Sequence, residues 1–189
     1  MRRPLRSASY FALLILPGCC NPKLIGSQPV TLRAQETNQW CWAAGGEMCM
    51  DFLGTNVAQC DEANKRLGRS DCCTSPIPTA CIQPGWPEFE KYDFSVKTTP
   101  SGTALTWDQL KEEIYCDRKP FCFSWGWTGG GGHLMVAYGY LTVGGVNYVA
   151  VNNPWPPNVG TDQVIPYAEF VSLAGDHVHW IDHYDITKN

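Results

Sequence analysis

No run in this sequence is apolar for long enough to cross a bilayer as a helix: Tyr10–Leu16 falls far short of the ~20 residues required. Charge is scarce too, at 17% of residues against 44% hydrophobic, which excludes a disordered chain and fits a globular one. An excess of positive charge is missing. Without the first 18 residues, 14 cations less three arginines leaves 11 against 18 carboxylates, a net charge of −7. That balance gives no electrostatic ground for nucleic acid or an anionic membrane surface as partner. No Cys-x-x-Cys pair occurs among the ten cysteines, and Cys72 and Cys73 are adjacent, so disulfides are favoured over a zinc cluster. The run Gly129–Gly132 lacks the Lys-Ser/Thr ending of a phosphate loop, and no internal repeat is present.

The N-terminus has the form of a targeting segment. Arg2, Arg3 and Arg6 precede the apolar run, and Leu16-Pro17-Gly18-Cys19 follows it. That ending resembles a bacterial lipoprotein cleavage box, in which Cys19 would be the lipid-bearing first residue. Residues 1–20 are therefore read as a signal peptide, 21–34 as a short polar tether and 35–189 as one domain. The reading implies export to the periplasm, cell envelope or medium, with membrane attachment only through a lipidated Cys19. An exported chain can use disulfides. Setting aside Cys19, Cys20 and Cys41 leaves Cys49, Cys60, Cys72, Cys73, Cys81, Cys116 and Cys122. The remainder is odd, so either one thiol is free or the subtraction is wrong, and spacing does not give the connectivity.

Periodicity predicts helices first and strands afterwards. Ala44, Met48 and Phe52 recur at helical spacing over Trp40–Leu53, with Thr37 and Asn38 as N-cap candidates and Gly54 as a stop. A second helix is expected over Val57–Leu67, then an irregular cross-linked loop from Arg69 to Pro87. Thr106-Trp107-Asp108-Gln109 is a capping-box pattern opening a helix to about Tyr115. Strands are expected over Phe121–Trp127, His133–Thr142, Val146–Asn152 after a Gly144-Gly145 turn, and Val178–Tyr184, with a short helix at Tyr167–Leu173. This order implies an α+β fold.

The stretch QETNQWCWAAGGEM, Gln35 to Met48, places Cys41 in the first turn of the first predicted helix. Unpaired backbone N–H groups and the helix dipole there favour an anion. A thiolate so placed beside an imidazolium can have its pKa lowered to roughly 3.5–7.5, and the thiolate is the form that attacks carbonyls. His133, between the glycine run and a strand, is the base candidate, and Asn153 at the end of the next strand can fix its tautomer. Each of these residues alone is as well explained by packing; their concordance carries the reading.

Three patterns together resemble papain-like cysteine peptidases. Gln35-x5-Cys41-Trp42 is similar to the oxyanion glutamine, nucleophile and following tryptophan. His133 followed by Gly139-Tyr140 resembles the histidine strand. Asn153-Pro154-Trp155 is similar to the Asn-x-Trp whose ring shields the His–Asn bond. Asn152 is passed over because the spacing selects Asn153. Where that family has Cys-Gly-Ser before the nucleophile this chain has Asn38-Gln39-Trp40, so the usual anchoring disulfide is absent or replaced through Cys49 or the 60–81 cluster. The QxxxxWCWAA form and small size resemble compact bacterial members, including papain-like effector proteases of plant pathogens, many of which have Asp at the position of Asn153.

The resemblance implies a papain-like fold, with an N-terminal helical half carrying the nucleophile packed on a C-terminal antiparallel sheet or half-barrel. It implies an exported cysteine endopeptidase acting on protein or peptide substrates, monomeric, with no cofactor and no metal. In it Cys41 attacks, His133 is acid and base, Asn153 orients, and Gln35 serves the oxyanion, although Gln39 could also reach. Rival readings are a cell-wall peptide amidase or peptidase, a transglutaminase-like acyl transferase, and an inactive disulfide-stabilised binding module. His177, His179 and His183 alternate onto one strand face and suggest a metal, but they are read as solvent-facing histidines for want of a fourth ligand.

Overall fold

Helix α1, Cys41–Phe52, is buried on nearly every side, with Trp42 through Gly46 and Met48 through Met50 shielded from solvent. Its two central glycines explain how it fits. A Cβ on Gly45 would collide with the Leu134 side chain, and one on Gly46 with the Glu62 carboxylate. Each glycine weakens an isolated helix by about 1 kcal/mol relative to alanine, and the close approach on two sides offsets this. The neighbour on the Gly46 side is α2, Gln59–Leu67, with Asp61 and Glu62 in its first turn, Lys65 and Arg66 in its last and left-handed Gly68 as its cap. Helix α1 starts at Cys41 with Trp40 in the capping position and no side-chain cap. Thr37, an expected cap, instead accepts from the Gln39 N–H at 3.4 Å.

The computed structural model describes residues 20–189; the targeting segment through Cys19 lies outside the described residues. Residues 21–34, expected as a tether, are laid along the domain. Cys20 is bonded to Cys116, β1 (Ile25–Ser27) pairs with a long central strand, and the Gln28 amide donates to the Ile114 carbonyl at 2.6 Å. Setting Cys20 aside was therefore the error in the cysteine count. Two further bridges, Cys60–Cys73 and Cys72–Cys81, hold the 69–87 loop on α2, while Cys41, Cys49 and Cys122 are free.

After the loop come β2 (Phe94–Thr98), α3 (Trp107–Lys111) with the expected capping box, and a wider π-type turn over Glu112–Cys116. Then follow β3 (Phe121–Trp127), β4 (Gly132–Val143), β5 (Val146–Asn153), β6 (Thr161–Pro166), α4 (Tyr167–Val171), β7 (Ser172–Leu173) and β8 (His177–Lys188). The sheet is antiparallel in the order β2-β8-β3-β4-β5-β6. Period-two alternation gives it two apolar faces. Cys122, Leu134 and Val136 meet the helices, whereas Phe121, Phe123, Trp125, Met135 and Phe170 form a second core beyond the sheet. The sequence showed no sign of β1, β2 or β6, which are short or lack strict alternation.

The C-terminal histidines are buried, contrary to the solvent-facing expectation. His177 bonds Asp176 at 2.6 Å and the Glu169 carbonyl at 2.9 Å, and it stacks on Trp125 at 3.6 Å. His179 bonds Asp182 at 2.9 Å and the Phe170 carbonyl at 3.1 Å. Helix α4 covers His177 and His179, but a bulge opposite Ser124 and Trp125 turns His183 to the other face, where it pairs with Cys122 and lies 5.5 Å from the Trp86 ring. The single face expected from alternation therefore does not hold for all three.

Candidate active site

Cys41 begins α1, where chain direction and the orphan N–H groups meet at a cleft edge. The helix is aimed there by two buried tryptophans on either side of the sulfur. The Trp40 indole N–H donates to the Cys81 carbonyl at 2.8 Å, and that of Trp42 to the Gln83 carbonyl at 3.0 Å. Since Cys81 is itself bonded to Cys72, the cross-linked loop anchors the segment before the nucleophile.

His133 enters from β4, opposite Trp125 of β3. Its Nε2 lies 2.7 Å from Asn153 Oδ1, and that oxygen also accepts the Trp155 backbone N–H at 2.9 Å. Because the amide oxygen is an acceptor only, Nε2 carries a hydrogen and Nδ1 is left for another partner. The ring of Trp127 lies parallel to the imidazole at 6.3 Å. Trp155, whose ring the resemblance assigns to shielding this bond, is 47% exposed and contributes its backbone N–H. Asn152 is buried and donates to the Val30 carbonyl at 3.2 Å, a packing role distinct from that of Asn153.

Gln35 is buried beneath the same site. Its backbone is stitched to the turn after Asn153, donating to the Pro154 carbonyl at 3.0 Å and accepting from Asn158 N–H at 2.9 Å. One amide hydrogen goes to the Thr37 carbonyl at 2.7 Å, which fixes the plane of the group and leaves a second hydrogen. Gln35, Cys41, His133 and Asn153, the four residues selected from sequence, all line one cavity of about 820 Å³. Gln39 is on the rim of the same cavity.

Burial dominates the electrostatics. It pushes the Cys41 thiol up, against backbone N–H groups of Leu134, Trp42 and Cys41 itself that hold it down. It pushes the His133 imidazole down, against the Asn153 hydrogen bond. The lowered thiol expected at the helix start is therefore not reached by placement alone. A thiolate–imidazolium pair at these positions would draw on the attraction of the two charges, which burial strengthens once both exist. The Leu134 N–H on the sulfur belongs to the residue after His133, so the β4 backbone places the two groups in one neighbourhood.

Sequence reasoning missed the far wall. Trp86, from the 69–87 loop, crosses to Trp180 of β8 at 5.9 Å between ring centroids, and Ser124 of β3 forms part of the floor. Gly132 and Gly126 accommodate the Trp180 ring, since a Cβ on Gly132 would press into both the ring and the Trp125 carbonyl. The only signal was the density of tryptophan itself, which marks large buried or half-buried rings without saying where they meet.

The chain matches the family described as papain-like cysteine protease AvrRpt2 over residues 25–169. No curated protein sequence matches it. Among solved structures it is similar to a chain from the study of limited antibody cross-reactivity between the mite allergens Blo t 1 and Der p 1. That match has a TM-score of 0.54 and 10% identity, over 90% of this chain and 73% of that one. It is also similar to digestive procathepsin L 3 of the Tenebrio molitor larval midgut, with a TM-score of 0.49 and 13% identity, over 88% and 71%. At 10% identity the mite-allergen likeness concerns the fold alone: an α+β papain-like arrangement of N-terminal helices and a C-terminal antiparallel sheet.

Proposed function

The chain belongs to the papain-like cysteine protease family of AvrRpt2, and on that premise we propose that it is an endopeptidase working through Cys41, His133, Asn153 and Gln35. The observation that carries the residue assignment is the 2.7 Å bond from His133 Nε2 to Asn153 Oδ1, which frees Nδ1 in a cavity shared with the sulfur. His133 Nδ1 takes the thiol proton as sulfur attacks the substrate carbonyl carbon. The carbonyl oxygen becomes an anion, received by the Cys41 backbone N–H and the free hydrogen of Gln35 Nε2. The C–N bond then breaks, the imidazolium proton leaves with the amine, and a thioester remains. Water, deprotonated by the same nitrogen, releases the acid and restores the thiol.

Asn153 as third residue favours this reading over cell-wall enzymes that place a second histidine there. Three disulfides among the described residues support export to an oxidising compartment, followed by retention through a lipidated Cys19 or by release. The sheet path from β2 to β6 is open in its pairing, and one of its faces carries the second core. Replacing Cys41 by alanine is expected to abolish both casein hydrolysis and labelling by a thiol-reactive peptide epoxide. Labelling that persists and maps to another cysteine would refute the assignment.

A further inference from the structure

Two cysteines outside the cleft meet in the core. Cys49 lies on α1, about two turns beyond the nucleophile, and Cys122 on β3; both are wholly buried, with sulfurs 3.5 Å apart. Gly45, one turn before Cys49, explains the closeness, because a Cβ there would collide with Leu134 and lie 3.4 Å from the Cys122 sulfur. The helix is thus seated directly on β3 and β4. Each sulfur has the other as its hydrogen-bonding neighbour, a weak contact for a thiol. Burial also pushes the Cys122 thiol well up, so neither ionisation nor hydrogen bonding accounts for the pair. Closing the gap by about 1.5 Å would bring the sulfurs to bonding distance.

We propose that Cys49 and Cys122 are a site of oxidation, forming a disulfide that joins the helix carrying the nucleophile to the sheet carrying its base. In the reaction the thiolate of one cysteine attacks a low-molecular-weight or protein disulfide, giving a mixed disulfide and releasing one thiol. The second cysteine, as thiolate, then displaces the other half of the reagent. Two thiol protons and two electrons pass to the reagent, which leaves as two thiols, and one S–S bond forms. Attack needs an exposed sulfur, so the bond closes during folding, before the sheet covers α1, and the finished core then withholds it from reductants. Cys41, only partly buried at the cleft, is left as the thiol that catalysis uses.

The test uses the full chain carrying Cys41→Ala, which removes self-digestion. It is refolded in mixed reduced and oxidised glutathione, unfolded in N-ethylmaleimide, and digested without reductant. The expected product is an unlabelled peptide pair linked through Cys49 and Cys122. The proposal is overturned if both carry maleimide in molecules whose Cys20–Cys116, Cys60–Cys73 and Cys72–Cys81 bonds are closed, or if either is linked elsewhere. Melting supplies an independent reading. Cys49→Ala, Cys122→Ala and the double variant each remove the same bond, so all three should melt lower by a similar amount, on the order of 10 °C. Losses that simply add in the double variant would count against a bond. Neither measurement depends on peptide hydrolysis, so its failure is distinct from failure of the proposed activity.

Discussion

Replacing Asn153 tests the site where its geometry is most definite. Its Oδ1 accepts from His133 Nε2 at 2.7 Å and is itself fixed by the Trp155 N–H at 2.9 Å, so it holds the imidazole plane and tautomer. The bond raises the His133 pKa against a burial that lowers it. A hydrogen bond to a charged group contributes about 1.5–3 kcal/mol, so Asn153→Ala should lower kcat/KM by roughly 10- to 150-fold. The loss should be larger toward alkaline pH, because the imidazolium then forms less readily. Asn153→Asp keeps the acceptor and adds a negative charge at the same place. An opposite charge at that distance moves a pKa by about one to three units, here upward for the imidazolium. Measured as kcat/KM on a peptide between pH 4 and 10, the Asp variant should stay within about tenfold of wild type and carry its alkaline limb higher. If the Ala variant kept full activity, or if both variants shared the wild-type alkaline limb, the orienting role would be refuted.

Gln35→Ala should lower kcat by about 10²–10³ with KM little changed, since it removes an oxyanion donor; unchanged turnover would move that role to Gln39. Glu113 is buried, accepts from the Asp185 N–H at 2.7 Å, and has its pKa pushed up to about 7 chiefly by burial. Its folded-state pKa is raised, so the associated stability is full below the unfolded value and is lost as pH rises through 7. Glu113→Gln keeps the acceptor without the charge and should gain on the order of 3 kcal/mol in urea unfolding at pH 8 and almost nothing at pH 4. A gain independent of pH would show that charge burial is not the cause. Gly46→Leu should lower the melting temperature by several degrees, because the Glu62 carboxylate occupies the space where a side chain would go. An unchanged melting temperature would mean that α1 and α2 can separate freely.

How much could be read in advance varied with how local the cause was. The capping box at Thr106 and the Gly144–Gly145 turn (φ 59° and 80°) lie where sequence placed them, since neighbouring residues determine both. The β3 boundaries, Phe121–Trp127, were predicted from the aromatic run. The Thr37 and Asn38 caps failed because two buried tryptophans, bonded to carbonyls 41 residues away, fix the helix start instead. Cys20 was misread because its partner, Cys116, is 96 residues distant and no spacing rule connects them.

The sequence alone determined the chemical types: a thiol at a helix start, an imidazole after flexible glycines, and amides at Asn153 and Gln35, with strand and helix periods that keep each on its own element. Only the tertiary structure decided which groups share a cavity, what covers the histidine strand, and the direction in which burial moves Cys41 and His133. The reason is one of range. Propensity and capping act over a few residues, whereas desolvation and sulfur pairing depend on atoms brought together by packing from distant parts of the chain.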